Sequence, residues 1–409
     1  MGAEVIKIEG PAGDGNRHMI GEQNNLPRVA LGSQFSACNL GKRSLSLDVK
    51  HPESMAVILA LLERCDVFLA NFTQRALDDL GLSYASLKVR NPRLIYAVCS
   101  GFGPTGPLAG KKGFDGAAQA RGGILSITGT EDMPVLSGDA TADTGGAIQL
   151  ALGIMTALLA RERFGVGQEV KTSLYGSQLW SQRWSITHVG MTGAKLSRQG
   201  QYAYTPSPGA NGVYKTRDGN ALVLIFPIVG RDPDAAWRAL CDFGQRPELG
   251  TDPRFATGHR RGMAENVIED RLAFREGLVD IFASHTLASW EEWFSAQPDF
   301  VWSPMRTHNE TLEEEQALAN DYIVSVNFPH LGAKKVVGNV VHLSETPGKV
   351  RGPPPLIGAD TKSIMQELGF NDASITQVMK HTKDVMLQQS NEKVAKKITK
   401  HISEYWDEE

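Results

Sequence analysis

Among the residues able to do chemistry, one carboxylate stands in a telling place. Asp143 lies in Ala142-Asp143-Thr144-Gly145-Gly146, directly ahead of a long apolar run with helical spacing. Asp is a favoured helix N-cap, contributing about 1 kcal/mol of helix stability, and that role alone would account for it. The same position also suits a nucleophile. A helix N-terminus favours an ionised carboxylate through its dipole and free N–H groups, and a flanking glycine pair would leave the group open to a substrate. An ionised, accessible carboxylate is what covalent acyl transfer through an anhydride requires. Both readings stand on the residues alone. The nearest rival, Asp139 in Gly138-Asp139-Ala140, reads as a turn residue.

Three basic pairs fall in loops beside predicted strands: Arg17-His18, Lys42-Arg43 and Lys111-Lys112. Each by itself reads as a solvated surface pair; together they could bind the phosphates of a nucleotide-like ligand. Gly101-Phe102-Gly103-Pro104-Thr105-Gly106 fits the G-x-G-x-x-G pattern after a strand. That pattern needs a helix immediately afterwards, whose N-terminus holds a pyrophosphate. Pro104, Pro107, Gly110 and Gly113 forbid one, so the segment reads as a loop that a ligand can approach closely. There is no Ser-His-Asp order, H-E-x-x-H motif, P-loop or metal-ligand spacing, and His188, His259 and His308 are isolated. The four cysteines, Cys38, Cys65, Cys99 and Cys241, are spread out, which suits a reduced, cytoplasmic chain.

These residues need a frame. The first hundred residues alternate strand signals (4–8, 44–49, 67–70, 94–99) with helix signals (55–62, 76–80). Such alternation predicts parallel β/α units in an open α/β sheet. Ligands would sit at the carboxyl ends of its strands, in the loops after Ile8, Ala70 and Cys99. The clearest helix is 145–163, with Ile148, Ala151, Leu152, Met155, Leu158 and Leu159 at helical spacing and Gly165 as its stop. A strand at 170–174 follows. Residues 201–220 turn to Pro, Gly and Tyr, a linker into a second domain opened by a hairpin at 213–214 and 222–226. Helical segments run on to about residue 299, with Trp290 and Trp293 on one of them. Gly352-Pro353-Pro354-Pro355 marks a second linker, and the tail 391–409 is charged and helical in pattern. The division is therefore 1–200, 201–340 and 341–409. A net charge of −4 over 409 residues excludes the basic excess usual in nucleic-acid binders. No stretch reads as long and apolar enough to span a bilayer, and the start of the chain is no signal peptide.

These pieces, in this order, resemble the class III CoA-transferase family, also called CaiB/BaiF. The resemblance is carried by Gly2-Ala3-Glu4-Val5-Ile6-Lys7-Ile8-Glu9, Asn39-x-Gly41-Lys42-Arg43-Ser44, Asn71-Phe72, Asn91-Pro92-Arg93-Leu94-Ile95-Tyr96 and Ser100-Gly101-Phe102-Gly103. It continues through Gly113-Phe114-Asp115, Ala142-Asp143, Gly165-x-Gly167-Gln168, Pro355-Leu356-Ile357-Gly358 and Glu367-Leu368-Gly369-Phe370. It implies an α/β fold: a Rossmann-like large domain, a smaller α+β domain, a C-terminal segment returning to the large one, and two chains interlocked as a homodimer. It implies a CoA-transferase, which moves CoA from an acyl-CoA donor to a carboxylic acid through an aspartyl mixed anhydride and an aspartyl-CoA thioester. Coenzyme A is then a substrate, with no prosthetic group or metal. By motif position Asp143 is the nucleophile, and Arg17, Asn71, Phe72 and Lys112 contact CoA. Lys42 and Arg43 are further candidates for CoA, and Phe114 and Asp115 lie close to the thioester.

A second branch of the family, the α-methylacyl-CoA racemases, carries a histidine where this chain has Phe114. A phenyl ring cannot carry a proton, which disfavours that chemistry. A CoA-binding relative without turnover is the non-enzymatic alternative. Three departures from the family pattern stand out. The family usually carries a further strand and helix ahead of Gly2-Ala3-Glu4-Val5, and lacking them would expose a sheet edge or apolar groove. Asn71-Phe72-Thr73-Gln74-Arg75 replaces an Arg-Pro-Gly-like continuation. Residues 206–214 lack the glycine run of oxalate-specific members, which argues against formate and oxalate as substrates. Phe114, Trp180 and Trp184 fit either an apolar acyl pocket or ordinary packing.

Overall fold

The structure is a computed structural model that describes residues 2–17, 31–202, 211–225, 228, 230, 232–264, 267–329 and 331–389. His18, Phe226, loop residues 206–210 and the tail 391–409, all singled out above, lie outside the described residues.

The chain opens with β1 (Ile6–Glu9), α1 (Ser33–Asn39), β2 (Arg43–Ser46), α2 (Pro52–Arg64), β3 (Val67–Ala70), α3 (Gln74–Asp79), α4 (Tyr84–Arg90) and β4 (Ile95–Ser100). It continues through α5 (Asp115–Gly122), α6 (Thr141–Phe164), β5 (Glu169–Ser173), α7 (Leu174–Ser181) and α8 (Arg183–Thr192). Local causes are plain. Pro52 starts α2, where its missing N–H costs nothing, and Val57, Ile58 and Leu62 bury one face. Gly165 ends α6 in the left-handed conformation that favours glycine. Residues Ile95 to Val98 of β4 are all buried, as a strand covered on both faces requires.

The single open sheet expected from the sequence is instead two parallel sheets. β1 pairs with β2, and β3, β4 and β5 form a second ladder in that order. Among the described residues, β1 and β3 each have one neighbour, and Leu69 on β3 is exposed. The core is continuous although the hydrogen bonding is not. Leu45 and Leu47 share one cluster with Val57, Ile58, Tyr96 and Val98. The helices Thr361–Glu367 and Asp372–Gln389 close that cluster with Ile364, Met365, Ile375 and Val378.

One expectation about α6 is corrected. By length and composition alone it could cross a membrane. Its buried residues, Ala142, Gly146, Leu150 and Ala157, pack it beside β4, β5 and α7, while Ile148, Leu152, Met155 and Leu159 form an exposed apolar stripe.

The second domain holds the antiparallel sheet β6 (Gly212–Lys215), β7 (Ala221–Ile225) and β8 (Val301–Pro304), with α9 (Pro233–Phe243) and the helices Ile268–Ala283 and Leu287–Ser295. Its core is aromatic: Trp237, Phe274, Phe282, Trp290 and Phe294 are all buried. A hairpin of β9 (Ile323–Phe328) and β10 (Gly332–Val337) then precedes the return to the first domain.

Candidate active site

The site is built where the carboxyl end of β4 meets the starts of α5 and α6, with β5 alongside. The loop after β4 folds back on itself at Gly101 and Gly113. A Cβ on Gly113 would lie 2.5 Å from the Gly101 Cα, so two bare backbones are needed for this approach. The contact delivers Phe114 and Asp115 to the end of β4. Phe114 stands at the α5 N-cap with 78% of its surface exposed. Lys112 is exposed just ahead of it. Asn71 and Phe72 follow β3, whose last residue Ala70 is in register with Val98 of β4, and both are exposed.

Asp143 is exposed on the first turn of α6. The helix begins four residues earlier than the sequence suggested, at Thr141, so Asp143 is inside the helix and is not its cap. The cap comes from elsewhere in the chain. Asp115 Oδ1 accepts the backbone N–H groups of Ala142 (2.7 Å) and Asp143 (3.2 Å), which satisfies two of the donors a helix start leaves open. This overturns the expected electrostatics. The N–H groups behind Asp143 are taken, and loss of solvent together with the charge of Asp115 raises its carboxyl from its ordinary value. Burial, with the charge of Asp143, likewise raises the nearby Cys99 thiol. The glycines after Asp143 serve packing. A side chain on Gly145 would collide with Ser177 Oγ, and one on Gly146 would press on Leu174 and Cys99.

A layer of buried polar residues, unremarked in the sequence, supports this pair of carboxylates. Gln119, one turn after Asp115 on α5, donates to Asp115 Oδ2 (2.5 Å) and accepts the Ser137 N–H (3.1 Å). Gln178 on α7 donates to Thr141 Oγ1 (3.3 Å), and Ser177 Oγ donates to the Ala142 carbonyl (3.2 Å). Gln119, Gln178 and Ser177 are all at most 2% exposed. The signal for Gln119 was its four-residue spacing from Asp115, which puts both on one helix face.

The remaining cations fall elsewhere. Arg17 is fully buried, paired through Nε and Nη2 with Glu9 (2.7 and 2.6 Å), bonded to the Pro355 carbonyl and stacked on Phe35. That leaves it structural here and away from an exposed ligand site. Arg43 joins Glu4 and Glu367, partners that raise its basicity further, so it ties β2 to the helix Thr361–Glu367. Lys42 is half-buried, and burial and the nearby Lys7 lower its affinity for a proton. Asp139 accepts the N–H of the next residue, as a turn residue does. Among the described residues no group of three or more His, Cys, Asp or Glu converges as a metal site.

Three comparisons bear on this arrangement. The family model described as CoA-transferase family III matches residues 1–361. An "Acyl-CoA transferase" of Fusarium pseudograminearum is 33% identical over 384 residues, covering 91% of this chain and 80% of the relative. A "Succinyl-CoA–D-citramalate CoA-transferase" of Chloroflexus aurantiacus is 33% identical over 372 residues, covering 90% of this chain and 88% of the relative. The crystal structure of a CaiB/BaiF family protein from Brucella suis superposes with a TM-score of 0.77 at 27% identity, covering 90% of this chain and 92% of that one.

Proposed function

The chain belongs to CoA-transferase family III and is a CoA-transferase, and from that premise we propose that it transfers CoA between carboxylic acids through covalent intermediates on Asp143. The observation that carries this reading is an exposed carboxylate held on a helix start whose N–H groups a second carboxylate, Asp115, already occupies.

The proposed sequence balances without a redox or metal step. Asp143 attacks the carbonyl of the donor thioester; a C–O bond forms, the C–S bond breaks, and CoA leaves as thiolate. The thiolate then attacks the aspartyl carbonyl, giving an aspartyl-CoA thioester and releasing the donor acid. The acceptor carboxylate attacks that thioester, regenerating thiolate and a second anhydride. Thiolate finally attacks the acceptor acyl carbon and frees Asp143. Each step keeps the thioester's energy in a covalent bond.

Only the ionised form of Asp143 can attack. With its carboxyl raised by lost solvent and by Asp115, the rate rises with pH along a limb displaced upward from that of an ordinary Asp. Lys112, Asn71 and Phe72 are the exposed candidates for CoA, and Phe114 for the thioester end. The apolar stripe on α6, with the exposed Trp180 and Trp184, suits burial against a second copy in a homodimer. The four free cysteines suit a reducing compartment such as the cytoplasm.

Succinyl-CoA, the donor in the name of one relative, is the first donor to assay. Asp143→Ala should lose turnover on the order of 10⁴-fold while keeping CoA affinity within about threefold. Equal exchange rates in the two proteins would refute the assignment.

A further inference from the structure

The buried amide behind the carboxylate pair has no assigned part in the reaction. Gln119 makes two hydrogen bonds at once. Its Nε2 donates to Asp115 Oδ2 (2.5 Å), its Oε1 accepts the Ser137 N–H (3.1 Å), and its helix carries Asp115 one turn away. Asp115 is thereby used on both oxygens, Oδ2 by Gln119 and Oδ1 by the first-turn N–H groups of α6. Ser137 Oγ also lies 3.0 Å from Thr141 Oγ1, so the loop leading into α6 is fastened to the same point.

An amide is neutral and offers its donor and its acceptor on two separate atoms. The amide donor faces Oδ2 of Asp115 while two N–H groups face Oδ1, so both oxygens of that side chain accept hydrogen bonds. A buried network of this kind is rigid when every member is satisfied.

We propose that Gln119 is a positioning residue for CoA transfer: its amide holds Asp115 in place as the cap on α6 and so fixes where Asp143 stands and which neighbour it faces. This rests on Asp143 being the nucleophile. The titratable groups around Asp143 are Asp115 on α5, whose charge acts on it, and Cys99 on β4, which feels it in turn. The α7 face brings Ser177 and Gln178, which do not titrate.

Gln119→Glu gives the sharp test. Protonated, the new carboxyl has one donor and one acceptor and reproduces the amide; ionised, it has no donor and sets a charge against Asp115. The pH dependence of the transfer rate should therefore gain a descending limb. Near pH 5 the variant should approach wild type, and by about pH 8 it should fall on the order of 10- to 100-fold below it. Gln119→Leu, which has neither group, should be slow at every pH. Thermal unfolding of each variant separates loss of fold from loss of rate. A parallel readout needs no substrate: carbodiimide labelling of Asp143 against pH, read by peptide mass spectrometry. There Gln119→Leu should shift the Asp143 midpoint downward, because Asp115, no longer anchored through Oδ2, leaves the position from which its charge opposes ionisation of Asp143. Equal transfer by wild type and Asp143→Ala, with a shifted labelling midpoint in Gln119→Leu, would sink the nucleophile reading and leave the Gln119 clamp standing. A Gln119→Glu rate profile of wild-type shape, or labelling midpoints that coincide, would overturn the clamp.

Discussion

Two loops at strand ends carry charges of the kind a CoA site needs, and the fold uses them in opposite ways. After β1, Glu9 takes Arg17 into the interior. It also accepts the Ser44 hydroxyl (2.8 Å) and the Asp14 N–H (3.0 Å), and it is only 4% exposed. After β4, Asp115 turns inward in the same manner, but toward backbone N–H groups and an amide, and Asp143, Lys112 and Phe114 stay outside. The first loop spends its charges on one another. The second satisfies its half-buried carboxylate with neutral donors, which leaves Asp143 and Lys112 exposed. Residue type alone did not separate these outcomes; the partner within reach did.

The comparison is broken most directly from the β1 side. Glu9→Gln should leave the Arg17 charge buried without its counter-ion and destabilise the fold by about 3–5 kcal/mol in denaturant unfolding. A loss below about 1 kcal/mol would mean that Arg17 is freer than its burial indicates. Next comes the backbone approach that delivers Asp115. Gly113→Ala places a methyl against Gly101, and the displacement should cost about 1–3 kcal/mol of stability and lower turnover with it. Unchanged turnover and stability would show that the two loops can part without disturbing the site.

Smaller effects sharpen the β4 side. Lys112 is exposed and can gain only modestly from a phosphate, so Lys112→Ala should weaken CoA binding by about 1 kcal/mol, near fivefold. Titration calorimetry at rising salt should erase that difference as screening grows; a gap that persists would place the lysine in a drier contact. The smallest effect is on stability against pH. A raised folded-state pKa means that Asp143 is tolerated best when protonated. Its burden is absent below the unfolded value of about 4 and develops as pH rises through the folded value. Asp143→Asn should therefore match wild type in acid and melt about 1–2 °C higher at neutral pH. The opposite order at neutral pH would restore the helix dipole as the dominant influence.

How much of this was legible in the chain depends on the reach of each interaction. β3 was read to its observed ends, and α6 was found with its stop at Gly165, because periodicity and turn chemistry are local. Asp143 was placed near that helix start for the same reason, yet its role as N-cap was misread. The true cap is Asp115, 28 residues upstream in sequence, and a side chain that distant leaves no local trace. Arg17 was read as a ligand contact because its partner Glu9 sits across a turn whose closure only the fold reveals. The β9–β10 hairpin escaped notice because the Gly-Ala-Lys-Lys-Val-Val strand is mostly exposed and lacks a buried-face alternation. The split between the two parallel sheets was equally invisible, since β/α alternation predicts strands and not which of them share hydrogen bonds.

The central claim is that Asp143 carries the covalent intermediates. The most direct measurement is to mix the protein with succinyl-CoA and a panel of other acyl-CoA donors, trap with hydroxylamine or borohydride, and map modified peptides by mass spectrometry. The account predicts a modification on Asp143 that disappears in Asp143→Asn and that added acceptor acid diminishes. Transfer activity with modification at another residue, or with none at Asp143, would contradict it.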